Sequence, residues 1–245
     1  MNTFKQALEV RTVLVVACVV ALGASSHSVA GQESAQRVEL SFVRPAGAKD
    51  ALPVAVAAAD DGDKARREKN ARYDRLLPNA INATGKSERH ELETRWWSGL
   101  ASLPVAESDS IVVGEVVSGR AHLTPSRTGL YSEFTVRVLK SIRGSGRAQE
   151  LIRALRAGGA VLHTDGTATT FRVAFQGMPA IGNRYVLFLR TAGPDFEIIT
   201  GYDITSGKVA PLDGNGATLG FERYAGAEVN AFLTEVHTAA GARGK

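Results

Sequence analysis

"YSEFTVRVLKSIRGSG", Tyr131 to Gly146, alternates apolar and polar side chains and then runs into positive charge and glycine. Period two is the signature of a strand with one face in a core. It assigns Phe134, Val136 and Val138 to the inside and Glu133, Thr135 and Arg137 to the outside. Upstream, "SIVVGEVVSGRAHL" (Ser110 to Leu123) is a Val- and Ile-rich strand that reaches the first through the turn "SRTGL". Its internal Gly114 marks a bulge or a tight bend where a barrel closes.

Downstream, "AQELIRALRAGGAV" fits two readings. Leu151 and Leu155 suit a helical face, while Leu151, Arg153 and Leu155 also alternate as a strand ended by Gly158 and Gly159. A sheet needs a partner here, and pairing overrides intrinsic propensity, which favours the strand. Further strands follow at "AVLHT", "TTFRVAF", "RYVLFLR" and "FEIITGY", separated by "DG", "QGMPAIGN", "AGPD" and "TSGK". Those separators are turn chemistry. Several short strands with turns between them predict one small all-β barrel or sandwich from about Leu103 to Asp213.

The flanks differ. Residues 31–84 mix Pro, Ala, Gly and both charge signs and read as a flexible linker with transient helix. Over 85–102, Leu92, Trp96, Trp97 and Leu100 recur at three-to-four spacing, which predicts an amphipathic helix from Ser87 to Ala101. Adjacent tryptophans could form a ligand platform. On a helix, however, neighbours point about 100° apart, so one Trp should be core and the other rim. In 214–245, Val229, Phe232, Leu233 and Val236 share a helical face, which predicts a closing helix on the barrel wall or at one end.

The first thirty residues combine Lys5 and Arg11 with the apolar run Thr12 to Ala24 and end in "SVA". That pattern is a secretory signal peptide cleaved after Ala30, which makes the mature chain periplasmic or secreted. The run is too short for a membrane-spanning helix. "VVAC" (Val15 to Cys18) is the alternative, a lipoprotein signal, but the apolar run continues past Cys18 to Leu22. Cys18 is the only cysteine, so a mature chain has no disulfide, thiolate metal site or cysteine nucleophile. Loss of Lys5, Glu9 and Arg11 takes the net charge of +4 to +3, a weak attraction for polyanions.

"ESDSIVVGEVVS", "YSEFTVRVLKSIRGSG", "NRYVLFL" and "FEIITGYDI" together resemble the barrel of netrin-like domains and tissue inhibitors of metalloproteinases over about residues 107 to 205. The resemblance implies an OB-like five-stranded barrel. The chain also resembles a group of uncharacterised secreted bacterial proteins that share "GxGxP-x-x-G-x-x-Y-x-x-F-L". Gly177, Pro179, Gly182, Tyr185, Phe188 and Leu189 fit that pattern, while Phe175 stands in the first glycine place. The inhibitors insert a disulfide-bonded N-terminal cysteine into a protease's zinc site. With no cysteine after Cys18, that mechanism does not transfer, and a fold does not imply a function.

For chemistry, the basic run comes first. Arg137, Lys140, Arg143, Arg147, Arg153 and Arg156 stand against one acid, Glu150, and Tyr131 is the only aromatic expected on that face. Nucleic acid calls for basic residues with stacking aromatics, so an anionic polysaccharide or envelope surface is the better expectation. His90, His122, His163 and His237 are scattered, and no metal or cofactor is implied. No nucleophile elbow occurs, and Glu115, Glu133 and Glu197 are carboxylates that any β-protein has. In "FQGMPAIGNRY", Gln176 and Met178 are expected in an exposed loop that could bind. The function expected is a non-enzymatic binding module for an envelope protein or anionic glycan. The alternative is a small hydrolase or hydrolase inhibitor using the barrel mouth.

Overall fold

The computed structural model describes residues 42–43, 52–56, 62–81, 88–94, 96–214 and 220–241. Along the chain lie β1 (Phe42–Val43), β2 (Leu52–Val56), helix α1 (Lys64–Tyr73), β3 (Arg89–Leu92), β4 (Ser110–Leu123) and β5 (Leu130–Arg143). They are followed by β6 (Leu151–Ala157), β7 (Gly159–Leu162), β8 (Ala168–Val173), β9 (Arg184–Ala192), β10 (Asp195–Asp203), β11 (Ala210–Pro211), a 3-10 turn (Phe221–Tyr224) and helix α2 (Val229–Gly241). The expected leader over residues 1–30, with Cys18, lies outside the described residues. So does much of the expected linker.

The alternation in β5 does what its period dictates. Phe134, Val136 and Val138 are fully buried in a core with Val112, Val116, Leu187, Leu189 and Ile198. β4 and β5 form a long antiparallel hairpin whose register shifts at Gly114, so the bulge expected there is present. β6 adds to β5 as a strand, which settles its ambiguity in favour of pairing. β10 then lies parallel to β6 and antiparallel to β9, and β9 returns to β4. The ring β4-β5-β6-β10-β9 is a closed five-stranded barrel of the OB-like Greek-key kind.

Strand β9 reads as a continuous apolar run because both its faces are covered. Leu187 and Leu189 enter the barrel, while Val186 and Phe188 pack outward under α2 against Phe232 and Val236. The closing helix therefore lies on the barrel wall, and its buried stripe is the one its periodicity predicts.

Three expectations are corrected. "AVLHT" and "TTFRVAF" leave the barrel: β7 and β8 belong to a second sheet of order β1-β2-β7-β8-β3. The exit is made at Gly158 and Gly159, whose φ values of 104° and 148° suit glycine and turn the chain away after β6. Residues 89–92, expected within a helix, form β3 instead, because their backbone pairs in parallel with β8; Trp96 and Trp97 follow in a turn. The short helix before the barrel is α1, inside the stretch expected to be linker. Asp63 caps it by accepting from the Arg66 N–H at 2.9 Å.

Helix α1 has no apolar stripe, and it docks through polar groups. Lys69 is buried and reaches Glu133 at 2.7 Å and Asp195 at 2.6 Å. The Tyr131 hydroxyl donates to Asn70 and accepts from Arg66, and the Tyr131 ring stacks on Tyr73 at 4.6 Å. Tyr131 is thus fully buried rather than part of an open polar face. Burial also holds the Tyr73 phenol far above its usual range. Among the described residues no helix is long and apolar enough to cross a membrane.

Candidate functional site: an aromatic cleft at the end of the second sheet

The cleft is anchored by an ion pair. Arg156, on β6, is fully buried with its guanidinium 2.7 Å from the equally buried Asp213. The other arm of the fork donates to the Gly177 carbonyl at 2.8 Å, and Asp213 accepts from the Gly177 N–H at 2.8 Å and the Thr200 hydroxyl at 2.7 Å. Both backbone groups of Gly177 are therefore held by one charged pair. A Cβ there would come within 1.9 Å of the Leu212 carbonyl oxygen, so only glycine fits this approach.

Pinning Gly177 fixes its neighbours. Met178 turns inward and fills the barrel core, which leaves it buried, not exposed as expected of a loop methionine. Burial pushes the Tyr185 phenol up to about 12, and its oxygen accepts the Ala180 N–H at 2.9 Å. Phe175 takes the opposite direction. Its φ of 60° is left-handed, and its ring stays 41% exposed. For a bulky residue that conformation is a real outlier, with a cost of about 1–3 kcal/mol that the surrounding contacts must impose.

Phe175 meets Trp97 edge to face, with ring centroids 5.1 Å apart. Trp97 meets Trp96 in the same way at 5.7 Å, and Trp96 stacks on Phe221 at 6.0 Å. Trp96 also donates its indole N–H to the Ala174 carbonyl at 2.9 Å and lies against Arg156, 5.9 Å from the guanidinium carbon to the ring centre. Both tryptophans are half-buried on a turn instead of a helix, so the pair does not divide into the core and rim members expected of it. Trp97 and Phe175, with Glu91, Glu93, Thr94 and Ala174, line a cleft of about 540 Å³. A smaller depression that shares Glu91 and Phe175 with the cleft is also lined by Arg89, Arg172 and Gln176, and the Gln176 Oε1 is buried with no hydrogen-bond partner among the described residues.

Of the six basic residues of the run, Arg156 does not share an outer face with the others. Arg156 is internal for the reason given above. Arg137 is half-buried and ion-paired with Glu115 at 3.1 Å, and Arg143 donates to the Val105 carbonyl. Lys140, Arg147 and Arg153 remain exposed. The carboxylates considered for acid–base work are dispersed as well: Glu115 pairs with Arg137, Glu133 with Lys69, and Glu197 with Arg190 at 3.8 Å. Among the described residues no group of three or more His, Cys, Asp or Glu is placed to hold a metal ion. Of the expected site residues, only Gln176 borders the cleft region. Phe175, Glu91 and Glu93 were not expected as binding residues, and the tryptophan pair was weighed as a ligand platform but expected to pack, although a Phe in a glycine place was a signal. Compared with family models, curated proteins and solved structures, the chain matches none.

Proposed function

We propose that the mature chain is a secreted or periplasmic, non-enzymatic binding module whose ligand is another envelope protein, taken in the Trp97–Phe175 cleft. The observation that carries this reading is Phe175, a strained backbone just after β8 that presents an exposed aromatic ring at the end of the second sheet. Strain of this kind persists where surrounding contacts over-determine it, and it clusters at ligand sites. Aromatic rings of limited mobility are also the commonest anchors of protein interfaces. The protein limb of the expectation is preferred over the anionic glycan because the charged residues among the described lining of the cleft are Glu91 and Glu93 and the basic run is split by burial and pairing. The OB-like barrel serves as the scaffold, as the netrin-like resemblance implies.

The test is affinity capture from the native envelope fraction with the full chain as bait. A partner retained by the wild type and lost with both Trp97→Ala and Phe175→Gly, each still folded by circular dichroism at the assay temperature, is the expected result. Capture that is indifferent to both changes would remove the cleft from the function.

A further inference from the structure

We propose that the partner docks as an added strand on the edge of β3 turned away from β8, with a lysine or arginine side chain laid between Glu91 and Glu93 beside the Trp97–Phe175 pair; the proposal rests on the binding-module reading above. Among the described residues the second sheet ends at β3, whose strand partner is β8. Across that pair the carbonyls of Glu88 and Leu92 accept from the N–H groups of Thr170 and Ala174, at 2.8 and 3.0 Å. Backbone groups of one strand alternate between its two edges, so those of Arg89 and Glu91 face away from β8. Such an edge is a template for an extended chain. Its N–H and C=O groups bind any sequence, and pockets beside it read alternate side chains.

The cleft supplies that pocket. Glu91 belongs to the edge strand itself and also lines the cleft, so a peptide paired with β3 lies beside the cleft that Trp97 and Phe175 line. Among the described lining residues there are two carboxylates, two aromatic rings and no basic side chain. An ammonium or guanidinium group satisfies both features at once, by opposite charge and by contact with ring faces. The ion pair that Glu91 already makes, with Arg89 at 3.7 Å, is exposed. Exposed pairs of this kind contribute little and are displaced readily.

The experiment is selection of a random-peptide display library on the full chain, followed by binding measurements with synthetic copies of the enriched peptides. Enriched sequences are expected to be extended and to share one Lys or Arg position. Replacing that residue by norleucine, or introducing Glu91→Gln with Glu93→Gln, should weaken binding about tenfold. Methylating backbone nitrogens at alternate positions of the peptide should abolish binding in one phase of the alternation and leave the other phase nearly unchanged. Peptides that need Trp97 and Phe175 but tolerate methylation in both phases, or that share no basic residue, would overturn strand addition and leave the binding-module reading standing. Peptides whose binding is indifferent to Trp97→Ala and Phe175→Gly would overturn both. A dimer of the free chain in sedimentation, dispersed by Phe175→Gly, would assign the edge to a second copy and overturn the partner.

Discussion

At position 175 the conformational preference and the side chain pull in opposite directions. A left-handed non-glycine residue costs about 1–2 kcal/mol, and Phe175 recovers part of that through its edge contact with Trp97. Phe175→Gly should therefore leave unfolding free energy within about 1 kcal/mol of wild type in urea titration, even as it removes a wall of the cleft. Arg156 behaves in the opposite way. Arg156→Met leaves Asp213 buried without its counter-charge, and a loss of about 3–5 kcal/mol is expected, with much of it recovered in the Arg156→Met, Asp213→Leu double variant. Asp74 gives a pH signature. It accepts from the Ser126, Thr128 and Thr124 hydroxyls, and these bonds hold its carboxyl below the ordinary value of 3.8. A folded-state pKa below the unfolded one stabilises the fold above about pH 3.8, and this contribution fades as pH falls through the folded value. The melting-temperature gap between wild type and Asp74→Ala should accordingly be constant near neutrality and narrow in acid. Sequence could not separate Arg156 from its five basic neighbours, because the partner that makes it internal lies 57 residues away.

At the scale of elements, legibility follows how each one is held. β5 and α2 are held by apolar stripes, and a stripe is written in the period of the residues. α1 is held by Lys69, Asn70 and Tyr73 reaching polar and aromatic partners on two strands, β5 and β10, and nothing periodic records that. Residues 89–92 mislead for a complementary reason. Leu92, Trp96 and Trp97 have helical spacing, but the backbone of this segment finds a ladder on β8, and tertiary pairing outweighs spacing over so short a stretch. Lys69→Met should detach α1 by leaving Glu133 and Asp195 without their buried cation. Hydrogen exchange is expected to accelerate selectively over residues 64–73 while β5 and β9 stay protected. Uniform acceleration across the barrel strands would show that α1 is part of the cooperative core.

For the whole molecule, the barrel was readable because its strands alternate or are apolar throughout, and the second sheet was not. β7 and β8 look like any other strands, and only the backbone turn at Gly158 and Gly159 sends them elsewhere. The cleft was partly readable. Its aromatic members stand in the sequence as a tryptophan pair and a Phe in a glycine place, yet their meeting depends on β3 and β8 lying side by side. The parallel pairing of β6 with β10 carries a further consequence for how the chain reaches this state. Ala154 and Phe196 are neighbours across the barrel seam, and between them the chain builds a hairpin of the other sheet and the whole of β9. Closure is thus a long-range event, of the kind that makes folding slow. Until β10 arrives, the barrel is an open curved sheet with β6 and β9 bare at its two margins, and the folding chain is most vulnerable to pairing with a stranger during that interval.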